Sequence, residues 1–214
     1  ARSRMMPQPT GRAGAFSDHR VRCICEDERM LGAHDPLRHR PNRILVAGVT
    51  GSGKSTLARR IAAALKNDYV EIDSLYHGPY WTPRPEFVAE VDAFTRSPRW
   101  SIEWQYPSVR MLLADRADTV VWLDHATVVS LVRVIRRTIR RSRTREILWN
   151  GNIEAPLRSF FTDPDHIVRW ALKTRRAYRA LVPALEHSHP RLQIVRLRSQ
   201  RDVERWLDGP LADR

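Results

Sequence analysis

The stretch GVTGSGKST, Gly48–Thr56, constrains this chain more than any other short run in it. Gly48, Gly53, Lys54 and Ser55 fit the spacing G-x-x-x-x-G-K-[ST]. The glycines let the backbone curl, so that the N–H groups of Thr50, Gly51, Ser52 and Gly53 can face one anion. A helix opening at Lys54 adds the partial positive charge of its N-terminus. A lysine there reaches the outer phosphates of a polyphosphate, and the Ser55 hydroxyl, with Thr56 beside it, suits a divalent cation. ILVAG, Ile44–Gly48, is a short apolar run of the kind buried on both faces. Leu57, Ile61 and Leu65 then recur every fourth residue, as one helix face does. The plain alternative is a glycine-rich turn that binds nothing. Strand, loop, lysine, serine and helix in unbroken order argue against it.

Strand and helix patterns alternate through the rest of the chain. YVEID (Tyr69–Asp73), WSIEW (Trp100–Trp104), TVVWLD (Thr119–Asp124) and QIVRLR (Gln193–Arg198) read as further strands. Helical runs lie between them, including a long one from about Thr127 to Arg141. Five strands separated by helices predict an α/β fold, a parallel sheet covered on both faces. Ligands of such sheets bind beyond the carboxyl ends of the strands. Residues 1–42 are rich in Gly, Pro, Arg and Ser and lack an apolar period, which predicts a disordered tail ahead of a domain at 43–214.

Charge is concentrated. RVIRRTIRRSRTR, Arg133–Arg145, holds seven arginines and no acid in a chain of net charge +13. On a helix Arg133, Arg137, Arg140 and Arg141 share one face, while Arg136 and Arg143 point elsewhere. The segment reads as a phosphate clamp, as a solvated basic face, or as a nucleic-acid grip. A whole-surface affinity for nucleic acid would spread the charge more evenly. Cys23 and Cys25 are too few for a disulfide framework, so a reducing cytoplasm is expected. His19, His34 and His39 lie near them, but the spacing matches no zinc pattern. No apolar run is long enough for a membrane span, and no secretory signal is visible.

The blocks VAGVTGSGKSTLARRIA, EIDSLYHGPYWTPRPEF, EWQY, VWLD, RVIRRTIRR, LWNGN and FFTDPDHIVRWA cover most of residues 43–207. Together they resemble the P-loop, adenylate-kinase-like small-molecule kinases, and within them the DNA topology modulation proteins or adenylate-kinase-related kinases. The resemblance implies a three-layer fold with strand order 2-3-1-4-5. It implies an acceptor-binding segment at about 74–99 and an Arg-rich lid at about 137–155. It also implies ATP and Mg²⁺, with the γ-phosphoryl group passing to a small-molecule acceptor. Arg137, Arg140 and Arg141 would neutralise the group in transfer, with Arg133 on the nucleotide. Arg198–Ser199–Gln200 would lie beside adenine. The alternatives are a nucleotide-binding regulator that contacts DNA or RNA, and a P-loop ATPase with Gln105 orienting water.

Acids at strand ends are the candidates for proton and metal chemistry. Glu71 and Asp73, two apart on an expected strand, would share a face. Asp73 can accept a hydroxyl proton or help hold Mg²⁺, and Glu103 can order the metal's shell with Ser55. Asp124 reads as a cap for the helix that follows. Arg84 and Arg110 are candidates for an anionic group on the acceptor. Tyr76, Trp81 and Trp104 offer either an aromatic wall or plain packing.

Overall fold

A computed structural model of the protein describes residues 30–153 and 164–212. The sheet comprises β1 (Arg43–Gly48), a two-residue β2 (Asp68–Tyr69), β3 (Trp100–Glu103), β4 (Thr119–Leu123) and β5 (Gln193–Leu197). All pairs are parallel and the order is β2-β3-β1-β4-β5. This is the α/β fold expected from the sequence, with the strand order that the resemblance implies.

Alternation along β1 sends its apolar side chains to both faces. Ile44 and Val46 face α1 (Lys54–Leu65) and α7 (Gln200–Asp208), packing with Leu57, Ile61, Val203 and Trp206. Leu45 and Ala47 face the opposite layer. That layer is made by α3 (Phe87–Phe94), α4 (Arg110–Arg116) and α6 (Pro164–Ser188), with Phe87, Val91, Leu113 and Val182 in its core. The last helix starts on a capping box, in which Ser199 and Asp202 each satisfy the other's backbone N–H. Register aligns Val46 with Glu103 and Gly48 with Leu123, so the carboxyl ends of the central strands gather at one edge.

The second strand is shorter than expected. β2 pairs with β3 only at Asp68 and Tyr69. The buried Glu103 carboxylate then accepts the N–H of Ile72 at 3.0 Å, and the short helix α2 (Ile72–Tyr76) begins. Glu71 and Asp73 therefore do not share a strand face. Glu71 precedes the helix, and Asp73 lies in its first turn.

The expected tail also needs correction, because residues 30–42 pack on the domain. Leu31 bridges Val195 on the open edge of β5, with N–H···O bonds of 2.7 Å to Ile194 and from Arg196. Ala33 and Leu37 are buried against the α1 face of the core. The Asp118 carboxylate accepts the N–H groups of Asn42 and Arg43. Three apolar side chains and an edge pairing hold this strap, a pattern with no helical or strand period.

No described helix is long and apolar enough to cross a membrane. Among the described residues no group of three or more His, Cys, Asp and Glu is arranged to hold a metal. His39 instead lies 3.2 Å from the Asp118 carbonyl. Cys23, Cys25 and His19 lie outside the described residues.

Candidate functional site

The loop between β1 and α1 curls as its glycines permit. Gly51 and Gly53 hold φ of 78° and 99°, where a side chain is strained. At Gly51 a Cβ would also sit 2.4 Å from the Ser130 carbonyl oxygen and 2.5 Å from Val134. Both belong to α5 (Thr127–Thr144), so the root of the arginine helix packs directly on the loop. Ser52 is buried inside the curl, and its N–H donates to Val49 at 3.1 Å.

Lys54 is buried and donates to the Val49 carbonyl at 3.2 Å. Burial pushes its ammonium down to about 8, against the opposing pull of Asp73 and Glu103; nearby Arg137 lowers it further. Such a lysine gains most when an anion arrives.

A cleft of about 730 Å³ opens over the loop. Lys54, Ser55 and Thr56 form its floor, and Arg133, Arg137, Arg140 and Arg141 of α5 form one wall. Arg133 is nearest the loop, with Nη1 3.2 Å from the Ser52 carbonyl and Nη2 3.0 Å from Gln200 Oε1. Arg136 and Arg143 are exposed. A smaller pocket of about 230 Å³ shares Thr56 and Arg133 with the cleft and is lined by Leu57, Leu123, Gln200 and Val203. Arg198 lines neither cavity. Its backbone N–H donates to Asp202.

Asp73 and Gln105 line the same cleft. Asp73 Oδ1 accepts from Gln105 Nε2 at 2.8 Å and from the Tyr106 hydroxyl at 2.6 Å. Among the described residues Oδ2 takes no hydrogen bond. Burial, then the Asp73 charge, raises the Tyr106 phenol, which stays a donor. Glu103 is buried beneath this floor and accepts from Tyr69 at 3.1 Å. Burial raises its carboxyl, while the Ile72 N–H and the Ser55 hydroxyl hold it in the other direction. Ser55 and Asp73 thus line the cleft beside Lys54, and Glu103 lies behind Ser55 without lining it. Hard cations favour that donor set, and Mg²⁺ takes its other ligands from phosphate and water.

The roof joins two loops. Residues 77–83 and 147–153 are each closed by an antiparallel bridge, His77 with Pro83 and Ile147 with Ile153. Asn152 clasps them, accepting from the Trp81 N–H at 3.0 Å and donating to the Gly78 and Trp149 carbonyls at 2.8 Å. Asn150 donates to the His77 carbonyl, and His77 stacks on Trp149 with ring centres 5.9 Å apart. His77 Nε2 lies 3.3 Å from the Tyr106 hydroxyl, which links the clasp to Asp73. The sequence stretches LYHGPYW and LWNGN contain these residues, and their loop aromatics and paired asparagines were the available signal. Tyr69, His77, Tyr106, Glu146, Trp149, Asn150 and Asn152 were not singled out from sequence.

Three acceptor candidates lie elsewhere. Arg84 is engaged by Glu90 through contacts of 2.8 and 2.5 Å. Trp104 is buried and donates to the Arg110 carbonyl, and the Arg110 guanidinium lies over the Trp104 and Tyr178 rings at 5.6 and 5.8 Å. Those two hold α4 to α6 and do not line the cleft. Tyr76 stacks on Tyr106 at 3.9 Å, and of the aromatic candidates only Trp81 lines the cleft. Asp124 pairs with Arg196 and Arg179, and the N-cap position of α5 is Ala126. Residues 154 and 155 of the expected lid lie outside the described residues.

The Zeta toxin family matches residues 27–75. A bifunctional pantoate ligase/cytidylate kinase of Gloeobacter violaceus is 32% identical over 112 residues, which are 50% of this chain and 20% of that protein. The chain thus spans about a fifth of the length of this curated relative. A gluconokinase from Sinorhizobium meliloti is 23% identical with a TM-score of 0.47, covering 82% of this chain and 96% of its own. A shikimate kinase from Bacteroides thetaiotaomicron is 14% identical with a TM-score of 0.44, covering 78% and 95%. Glycine-loop motif, loop geometry and strand order together make this chain a P-loop α/β fold.

Proposed function

We propose that the chain is a Mg-ATP-dependent phosphotransferase acting on a small molecule, through a hydroxyl group of the acceptor. One observation carries the reading: a single cleft is lined by the loop with Lys54, by four arginines of α5 and by Asp73. The partial match to a protein whose name includes cytidylate kinase agrees with this class of chemistry. Within the class we place the chain with the DNA topology modulation proteins, on the sequence blocks quoted above.

On this reading the smaller pocket takes the base, and Arg133, which borders both cavities, lies along the phosphates. Loop N–H groups and Lys54 hold the β- and γ-phosphates. Ser55, with Asp73 and Glu103 behind it, would hold Mg²⁺, which would supply charge neutralisation at those phosphates. Asp73 Oδ2 takes the acceptor's hydroxyl proton as that oxygen bonds to the γ-phosphorus. The bond from phosphorus to the bridging oxygen breaks, and ADP leaves with the electron pair. Arg137, Arg140 and Arg141 face the group in transfer and stabilise its charge. The roof over Asp73 keeps water from competing.

The test is ADP release from Mg-ATP across a panel of nucleosides, nucleoside monophosphates, sugars and sugar acids. One acceptor class should raise release by orders of magnitude, and Lys54→Met should abolish the gain. ATP turnover that no acceptor accelerates would sink the kinase reading.

A further inference from the structure

Glu146 stands in the cleft as a carboxylate among arginines. Its Oε2 lies 3.4 Å from Arg140 Nη2, and its Oε1 lies 3.7 Å from Arg141 Nε. Two oxygens of one anion therefore meet two neighbouring guanidinium groups, an arrangement a phosphoryl group can also adopt. We infer that Glu146 competes with the terminal phosphoryl group for Arg140 and Arg141, and so sets how strongly the site favours a triphosphate over a diphosphate. This rests on the functional reading above.

Position along α5 supports the assignment. Arg133 contacts the loop through the Ser52 carbonyl, while Arg140 and Arg141 follow two helical turns later, roughly 11 Å farther along the axis. A nucleotide with its base in the smaller pocket and its β-phosphate over the loop points its far end toward that pair. The distances matter as well. Charge-assisted N–H···O contacts settle at roughly 2.7–2.9 Å when they are strong. Those of Glu146 are longer, and the Arg140 side chain is 67% exposed, so the pairing is weak and easily exchanged. A γ-phosphoryl group carries more charge and more acceptor oxygens than a carboxylate and displaces it. ADP lacks that group and leaves Glu146 seated.

Displacing Glu146 is thus a cost borne by ATP and spared to ADP. Calorimetric titration of the full chain with Mg-ATP and with ADP tests this in the wild type and in Glu146→Gln, an isosteric change at a partly exposed site. The variant should bind Mg-ATP about threefold to tenfold more tightly and ADP less than twofold more tightly. In an Arg140→Gln/Arg141→Gln background the same change should leave the Mg-ATP affinity unaltered. Equal gains for ATP and ADP, or a gain that persists without the two arginines, would mean a general loss of negative charge and overturn the inference. No change for ATP would overturn it as well. A wild type that binds no ATP overturns the functional reading first, and is distinct from binding that ignores Glu146.

Discussion

The Tyr106 hydroxyl donates to Asp73 Oδ1 at 2.6 Å, so the carboxylate is fixed by one oxygen and presents the other. A hydrogen bond to a charged group contributes roughly 1.5–3 kcal/mol. Tyr106→Phe should lower acceptor-dependent turnover tenfold or more and leave the Kd for Mg-ATP nearly unchanged, because the loop and the arginines are untouched. Steady-state kinetics beside ATP titration checks this. A parallel loss of ATP affinity would mean the tyrosine supports the floor and not the base.

Lys54 should cost the fold stability. Its ammonium sits near 8 in the folded chain against an ordinary value of 10.5. Between those pH values the unfolded chain holds the extra proton, so stability rises with pH across that window. Below it the cost is complete, about 3 kcal/mol. Lys54→Met should therefore melt higher than wild type at pH 7, lose ATP binding, and show no such rise between pH 8 and 10. In the wild type, ATP affinity should fall as pH climbs through 8, because binding then requires a proton to be taken up. Melting curves and titrations at three pH values decide it.

The glycine loop and the face of α1 were legible because both are local spacings: six residues set the curl, and Leu57, Ile61 and Leu65 set the stripe. The arginine face of α5 was legible for the same reason. Asp73 was placed near the site, but on the wrong element. What ends β2 is the Glu103 carboxylate taking the Ile72 N–H, a contact across 31 positions that no window of sequence contains. Arg84 looks available as an anion ligand in sequence, but Glu90, six residues on, holds it. Trp104 lies inside a core that only the packing of α4 on α6 defines.

The strap at 30–42 should be a stabilising part of the domain. Leu37 is 2% exposed, and its truncation leaves a hole between the strap and the α1 face. Leu37→Ala should cost about 3 kcal/mol. For a chain of this size that lowers Tm by roughly 6–12 °C. An unchanged Tm would return the strap to the tail that composition suggested.

Inward and outward arginines on one helix separate catalysis from nucleic-acid contact. Arg137 lines the cleft, and Arg136, its neighbour in sequence, is exposed. Arg137→Ala should lower turnover by about 10³-fold if it meets the transferring group, with a smaller effect on ATP affinity. Arg136→Ala should change neither. If DNA binding, measured by its salt dependence, falls with Arg136→Ala while Arg137→Ala keeps normal turnover, the regulator reading replaces the kinase one.

The close approach of Gly51 to Ser130 and Val134 ties the root of the arginine helix to the glycine loop. With no room for even a methyl group between loop and helix, any side chain at position 51 has to wedge the first two turns of α5 away from the loop. Arg133, in those turns, would be carried off the Ser52 carbonyl that it meets at 3.2 Å, and the wall of the cleft would part from its floor.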